Sequence, residues 1–446
     1  MTELAGRRVT VLGLGRHGGG VGAARFLARR GARVTVSDQL AAEELAEPLR
    51  ALADVKIERF SLGGHRQRDV REAELVVVNP AVRPDHPLVA QAAALGVSLS
   101  SEIELFLRAC PAPCIGVTGT NGKSTTATLI AEMIRADGRR SWLGGNLGGS
   151  LLDFVDEMSA DDWVVLELSS FQLARLPGDC PGPSIAVVTN CTPNHLDWHG
   201  TWDAYVAAKQ RLLRLQPAGG IAIVNLDDSQ LAAWRGCAPG AFQCADELSA
   251  EPATRDWPLH LRDNAKLAAA AARAGGVPEA AIARGLANFR PLEHRQQVIG
   301  AITGRTFVDD SKATTPEATI AALAAHSEPV WLLLGGTDKQ CDFAPLATVA
   351  ARHTKGIACF GMVGARLAAE LASRAPGLVV SRHTTLDDAL GWCWRQSAAG
   401  ETILLSPGCA SHDQYFDYVA RARHFRDLVR DLPSSFAPAN SGRLSP

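Results

Sequence analysis

The sequence predicts an α/β protein of three domains with mostly parallel sheets. Three observations carry that reading. Short aliphatic runs alternate with helical stretches along nearly the whole chain. Polar, glycine-bearing loops follow the strands, at the strand ends where open α/β sheets gather their ligands. The length of 446 residues exceeds what one core can fill, and about 150 residues per domain suggests about three domains. Boundaries are expected near residues 98 and 296, giving domains 1–98, 99–296 and 297–446, with the tail from Pro433 disordered.

Bulk composition narrows the class. Apolar residues make up 46% and charged residues 21%, as in a soluble globular protein, and the net charge is −2. That balance speaks against nucleic-acid or anionic-membrane partners and leaves room for a local basic pocket. No apolar run approaches the ~20 residues that span a bilayer. The opening MTELAGRRVTVLGLG enters a strand at once, so no signal peptide is expected. The 10 cysteines are scattered. Cys110 and Cys114 form a CxxxC around prolines, and no zinc-type CxxC pairing occurs, so reduced thiols in a cytoplasmic protein are expected.

Arg8 to Leu14 reads as a strand, Val21 to Arg30 as a helix and Val34 to Ser37 as a second strand. Between the first two lies Gly13-Leu-Gly15-Arg16-His-Gly18, a GxGxxG turn, and Asp38 ends the second strand. This pattern suits a nicotinamide dinucleotide with Asp38 on a ribose hydroxyl, another phosphate-bearing ligand, or a purely structural tight turn. Leu75 to Val78 is a further strand, ending in Asn79-Pro80.

A short helix from Ser101 leads into Cys114–Ala127, CIGVTGTNGKSTTA. An aliphatic strand breaks into a glycine-rich turn, and Lys123-Ser124-Thr125 opens a helix running through Ile134. Loop amides, a lysine charge and a hydroxyl able to reach magnesium are what a nucleotide phosphate requires. The strict P-loop wants glycine where Val117 stands, so the stretch reads as a variant of that loop; an ordinary glycine-rich turn is the alternative. Glu167 stands within the otherwise apolar run Trp163 to Leu168. A buried carboxylate there would need a partner or a metal, whereas an edge-strand glutamate would simply face solvent. The strand Ile185 to Thr189 leads to Asn190-Cys-Thr-Pro-Asn-His195-Leu-Asp197-Trp-His199, where His195 is either a ligand or a loop histidine satisfied by backbone. Thr201 to Leu215 is helical, with Lys209 beside its apolar stripe; most such lysines are solvated. Residues 236–258 read as loop, and Asn264 to Ala274 as an alanine-rich helix packed on a sheet.

The last third alternates again, with strands at Thr306–Val308, Val330–Leu334, Ile357–Phe360, Leu378–Ser381 and Thr402–Leu405. Its loops, Asp310-Ser-Lys312-Ala-Thr314-Thr315, Gly335-Gly-Thr-Asp-Lys339 and Ser406-Pro-Gly-Cys-Ala-Ser411-His-Asp413, should meet at one sheet edge and suit an anionic substrate.

Taken together, residues 8–430 resemble the Mur ligase family. GVTGTNGKS at 116–124 is similar to the family's ATP loop. LELSSFQL, DSKAT, LLGGTDK and LSPGCAS followed by Phe416 and Tyr418 resemble the branch that adds glutamate, and the DNPR-type motif of the diaminopimelate- or lysine-adding branch is absent from the sequence. The resemblance implies a Rossmann-like N-terminal domain, a central P-loop-type ATPase domain and a Rossmann-like C-terminal domain. It implies a monomeric ATP-dependent ligase of peptidoglycan synthesis, acting on UDP-N-acetylmuramoyl-L-alanine, D-glutamate and ATP through an acyl phosphate, with two Mg²⁺ ions. Residue by residue, it implies that Gly119, Thr120, Asn121, Gly122, Lys123, Ser124 and Thr125 hold the ATP phosphates, and that Asn264, Arg295 and Asp310 contact the rest of the nucleotide. Ser124 and Glu167 would bind one Mg²⁺, and His195 with a carbamylated Lys209 the other. Lys123, Glu167, His195 and Lys209 are the implied catalytic set. Lys312, Thr314, Lys339, Ser411 and Tyr418 would line the glutamate pocket, and Gly15, Arg16, Asp38 and Asn146 would serve the UDP-muramoyl substrate.

The chain departs from the family pattern at Asn194 and Trp198 (NHLDWH for DHLDRH), at Leu261 in the HNxxN motif, at Leu40, at Tyr418 for phenylalanine, and in its glycine-rich first turn. The rival readings are an L-glutamate-adding ligase, a nicotinamide-dependent oxidoreductase using the first turn, and a scaffold that binds ATP without turnover.

Overall fold

Uninterrupted runs such as Leu75–Val78 and Ile185–Val188 are buried along their whole length, as strands covered on both faces must be. The computed structural model describes residues 4–15, 18–225, 228–245, 254, 257, 259–290, 292–337 and 341–435. Its strands form three sheets. The first holds β1 (Arg8–Leu12), β2 (Arg33–Ser37), β3 (Arg59–Ser61), β4 (Leu75–Val78) and β5 (Ser98–Ser100), all parallel, in the order β3-β2-β1-β4-β5. The second holds β6 (Cys114–Thr118), β7 (Ser141–Gly145), β8 (Trp163–Glu167), β9 (Ile185–Val188), β10 (Ile221–Val224) and β11 (Ala241–Cys244), also parallel, in the order β11-β10-β9-β6-β8-β7. The third holds β12 (Gln297–Ile302), β13 (Arg305–Asp309), β14 (Val330–Gly335), β15 (Thr354–Phe360), β16 (Val380–Arg382) and β17 (Thr402–Leu405), in the order β12-β13-β17-β14-β15-β16. Only its β12–β13 hairpin, bulged at Val298–Gly300, is antiparallel. The three-domain α/β architecture expected from the sequence is therefore present.

By contacts, the chain divides into two compact units. The first two sheets lie in one, Met1–Thr192 with Trp198–Phe289. The third lies in the other, Pro193–Asp197 with Arg290–Pro446.

Several expectations are corrected. Residues 241–244, inside a stretch read as loop, form β11; its residues are mostly exposed, so an edge strand of this kind carries no apolar run to reveal it. The short edge strands β3 and β5 escaped for the same reason, and β5 carries the first sheet to Ser100, past residue 98. Glu167 does not face solvent from an edge: β8 lies between β6 and β7, and Glu167 is 3% exposed. The helix Tyr418–Ser435 continues past Pro433, where disorder was expected; residues 436–446 lie outside the described residues, as do Arg16 and Lys339.

The second sheet positions the glycine-rich loop that follows β6. Ile115 and Val117 of β6 pack with Ile130 and Ile134 of the helix Lys123–Ala136, and with Ala265, Ala268 and Ala272 of the helix Leu259–Ala274. Small alanines let those layers approach closely. Behind them, Gly285 of the helix Glu279–Asn288 comes so near that a Cβ there would lie 2.7 Å from Met133 Cα. Gly285→Ala should therefore cost the first unit about 1–2 kcal/mol, the overpacking strain less the helix propensity alanine returns. Urea denaturation should show the midpoint falling with the m-value unchanged.

Candidate active site

The phosphate loop starts where β6 ends between β8 and β9. Two residues must be glycine. Gly119 has φ 152° and Gly122 φ 81°, and a Cβ on either would run into Thr189 Oγ1 or Asn264 Oδ1 respectively. The loop is tied down on its β9 side: Thr120 N donates to Asn190 O (3.1 Å), Asn121 N donates to Asn190 Oδ1 (2.9 Å), and Thr189 Oγ1 donates to Asn121 O (2.5 Å). Thr120 Oγ1 donates to Thr192 O (3.0 Å) and lies 2.9 Å from the Tyr205 hydroxyl. Gly122 caps the helix Lys123–Ala136 without a side-chain hydrogen bond, and the first turn carries no acid. The helix N-terminus thus keeps its donors and positive dipole for an anion. Ser124 and Thr125 are buried, and Lys123 Nζ donates to Thr120 O (2.8 Å), folded over the turn.

Glu167 stands at the end of the neighbouring strand, held from two sides. Asn146 Nδ2 donates to Glu167 Oε1 (2.9 Å), and Asn146 N donates to Glu167 O (2.7 Å). Asn146, expected at the UDP-muramoyl substrate, also orients the Glu167 carboxylate. Lys209 is not solvated. It is 1% exposed, Nζ donates to Gly119 O (2.7 Å) and lies 4.6 Å from the Tyr205 ring centroid. Burial, aided by the Lys123 charge and opposed by Cys191 and Glu167, drives its pKa well below the usual lysine value. In its deprotonated form, which burial favours, such an amine is a nucleophile toward CO₂, and the resulting carbamate would keep one N–H for Gly119 O.

These donors fit magnesium. Among the described residues no group of three or more His, Cys, Asp or Glu is placed to hold a metal ion, so an ion here would rely on Glu167, the Ser124 hydroxyl, substrate phosphates and water, the mixed oxygen set that Mg²⁺ prefers. Unmodified, Lys209 offers no oxygen; as a carbamate it does. His195 is grouped with the second unit, has φ 55°, and its amide donates to Asn194 Oδ1 (2.8 Å). Asn264 is 8% exposed against Gly122. Leu261, which replaces the family's asparagine, packs on the apolar core instead.

In the first sheet, the turn after β1 lies beside the end of β4. Asp38 is 5% exposed; its Oδ2 accepts from Gly15 N and its Oδ1 from Leu40 N, each at 2.9 Å. It braces the turn through both oxygens.

In the second unit the loops after β13 and β17 converge. Lys312 Nζ lies 3.8 Å from the Tyr418 ring centroid, and Ser411 is 2% exposed. Thr314 lies in the loop that Thr315 ends by capping the helix Pro316–Ala324. Arg295 adjoins His294, whose Nδ1 lies 2.8 Å from Asp309 Oδ2. Asp310 accepts from Ser406 Oγ (2.7 Å) and Gln296 N (3.1 Å), yet burial outweighs these donors and lifts its pKa to about 7. One residue the sequence reading missed is Arg421. Fully buried, it donates to Ser311 and to the carbonyls of Cys409 and Ala410, joining both loops. Asn190 and Thr189 were missed as loop anchors as well, although polar residues just past a strand end were a usable signal.

Two outcomes follow. Asn146→Ala removes one donor from the Glu167 carboxylate, so with Glu167 as a Mg²⁺ ligand the Mg²⁺ concentration that half-saturates ATP binding should rise about 10- to 100-fold in calorimetry, the usual effect of losing a partner that orients a ligand. Asp310 binds its proton more tightly folded than unfolded, so its contribution to stability declines as pH rises from about 4 to about 7. Thermal melts of Asp310→Asn should lack that decline, with the variant gaining on the wild type toward pH 7.

Family models match the chain in sequence order: the Mur ligase MurD-like N-terminal domain at residues 7–101, the Mur ligase middle domain at 117–252, and the Mur ligase glutamate ligase domain at 294–409. The UDP-N-acetylmuramoylalanine–D-glutamate ligase of Roseiflexus sp. is 37% identical over 465 residues, covering 96% of this chain and 100% of the relative. That of Acidobacterium capsulatum is 36% identical over 454 residues, covering 96% and 97%. Among solved structures, the UDP-N-acetylmuramate–alanine ligase of Thermotoga maritima shares the fold with a TM-score of 0.60 at 19% identity, covering 96% of this chain and 99% of that one. The MurF ligase of Thermotoga maritima in complex with ADP gives 0.59 at 16%, covering 98% and 100%. Likeness that runs from the first sheet to the third, and not through one loop alone, makes this chain a member of the Mur ligase family, whose members form amide bonds at the expense of ATP.

Proposed function

We propose that the chain joins D-glutamate to UDP-N-acetylmuramoyl-L-alanine, cleaving ATP to ADP and phosphate. The observation that carries this reading is the strand edge at which the phosphate loop, the Asn146-held Glu167 and the buried Lys209 lie together, in a chain whose relatives of that name match it nearly end to end. The nicotinamide alternative is not supported: it leaves this edge without a purpose, and both Asp38 oxygens are engaged by backbone amides.

In the proposed reaction the alanyl carboxylate attacks the γ-phosphorus, forming an acyl phosphate and releasing ADP. The glutamate amine then attacks the acyl carbon, and phosphate leaves from the tetrahedral intermediate. Lys123 and the amides of residues 119–125 hold and neutralise the phosphates, which is most of what phosphoryl transfer asks of a protein. Ser124 and Glu167 would hold one Mg²⁺ and His195 with a carbamylated Lys209 a second, and the bound metal supplies charge neutralisation at the transferred group. Asn264, Arg295 and Asp310 are proposed to contact the nucleotide. Lys312, Thr314, Lys339, Ser411 and Tyr418 are proposed to receive glutamate. We take the reaction to run in the cytoplasm in a single copy of the chain; ten free cysteines support a reducing compartment. Among the described residues no helix is long and apolar enough to cross a membrane.

Mass spectrometry of reactions containing UDP-N-acetylmuramoyl-L-alanine, ATP and either enantiomer of glutamate should show a glutamyl adduct with the D form. No adduct with either would defeat the assignment. Lys209→Ala should abolish turnover without rescue by excess bicarbonate, measured as phosphate release dependent on both co-substrates; turnover near the wild-type rate would remove the carbamate from the mechanism.

A further inference from the structure

The chain passes from the first sheet to the second through the helix Glu102–Ala109 and then Cys110-Pro111-Ala112-Pro113-Cys114. Cys110 caps the C-terminus of that helix with extended backbone, and Cys114 opens β6. The two prolines fix φ on either side of Ala112, so the turn that brings the cysteines together is preset. Their sulfurs lie 4.0 Å apart. Ala112 O lies 3.6 Å from Cys110 Sγ and 3.5 Å from Cys114 Sγ. A third sulfur, Met158 Sδ, is 4.0 Å from Cys110 Sγ.

The two thiols differ in access and in charge. Cys110 is half-buried and within reach of a small solute, whereas Cys114 is buried. The Cys114 S–H donates to Cys110 Sγ. That hydrogen bond holds the Cys110 thiol below its usual range, against burial and the nearby Asp162 charge. The same bond, with burial, keeps the proton on Cys114 and pushes its pKa well up. By contrast, burial lifts the Cys180, Cys191 and Cys359 thiols to about 12, where a cysteine is inert. One reachable sulfur with thiolate character beside one protonated, buried thiol is the division between an attacking and a resolving cysteine.

We propose that Cys110 and Cys114 form a hydroperoxide-reactive dithiol that closes reversibly to a disulfide where the chain crosses between the two sheets. This does not rest on the function proposed above. With hydrogen peroxide, the Cys110 thiolate attacks one oxygen and the O–O bond breaks. Cys110 becomes a sulfenic acid, and the departing hydroxide takes up the proton that the thiol released and leaves as water. The Cys114 sulfur then attacks the Cys110 sulfur. The S–S bond forms, the S–O bond breaks, and hydroxide leaves with the Cys114 proton as a second water. Two thiols lose two electrons in all, and one peroxide is reduced to two waters. The sulfurs must approach by about 2 Å, a movement on the scale of side-chain rotation. Because Cys110 is only half-buried, the bond stays open to a reducing thiol, as a transient disulfide in a reducing compartment requires.

Trypsin cuts after Arg108 and Lys123, so both cysteines fall in one peptide, residues 109–123. The full chain, treated with equimolar hydrogen peroxide, alkylated and digested, should yield this peptide unalkylated and lighter by two hydrogens in mass spectrometry. Dithiothreitol should restore alkylation at both cysteines. Cys114→Ser should stop at a sulfenic acid on Cys110 that dimedone captures, and Cys110→Ser should leave Cys114 open to alkylation after the same dose. In the untreated chain at neutral pH, iodoacetamide should label Cys110 at least about tenfold faster than Cys114. The proposal is overturned by a wild-type peptide alkylated at both cysteines after a dose that oxidises the exposed Cys244. Oxidation landing on Met158 in place of the pair, equal labelling of Cys110 and Cys114, or loss of Cys114 alkylation in Cys110→Ser would overturn it as well. The wild-type digest decides the matter even where a variant fails to fold.

Discussion

The central domain depends on two places where no side chain can exist. At Gly119 and Gly122 the space a Cβ would need is already occupied by Thr189 and Asn264, which come from the end of β9 and from the alanine-rich helix. The loop is therefore a junction: β6 delivers it, β9 anchors its outer edge, and the helix Leu259–Ala274 closes against its far end. Because Lys209 also reaches in to Gly119 O, a fourth element is fastened to the same turn. Small displacements in any of these should be felt at the loop amides proposed to hold phosphate, since close-packed interiors transmit strain rather than absorb it.

Much of this was legible in the sequence. Strands buried on both faces announce themselves as aliphatic runs, and Leu75–Val78 and Thr402–Leu405 fall where their composition places them. The edge strands β3, β5 and β11 did not, because an edge needs apolar residues on one face at most and these are short.

At the site, residue type was readable and partnership was not. Glu167 could be recognised as an odd carboxylate in an apolar strand, but nothing in a linear pattern says that Asn146, at the end of the adjacent strand, would be the group that aims it. Lys209 sits at a spacing that also describes a solvated lysine, and only the packing of Tyr205 and the loop around it makes it a buried amine. Arg421 is the same failure in a stronger form: an arginine in a helix rich in arginines reads as solvent-facing until the fold wraps two loops around it. His195 and the loop Pro193–Asp197 group with the C-terminal unit although the surrounding chain belongs to the first, a membership that sequence adjacency hides.

The order of strands in the third sheet bears on how the protein is made. In the first sheet β1 can pair with β2, and β4 then adds on the other side, so the sheet grows outward as the chain emerges. In the third, the last strand, β17, is inserted between β13 and β14 at the middle. Until Thr402–Leu405 has left the ribosome, two half-sheets must wait with open, hydrogen-bonding flanks, and Arg421 arrives later still. Closing contacts between residues this far apart in sequence is slow, and unpaired flanks invite association with other nascent chains. The C-terminal unit is thus the part of the molecule whose biogenesis depends on completing nearly the whole of its sequence.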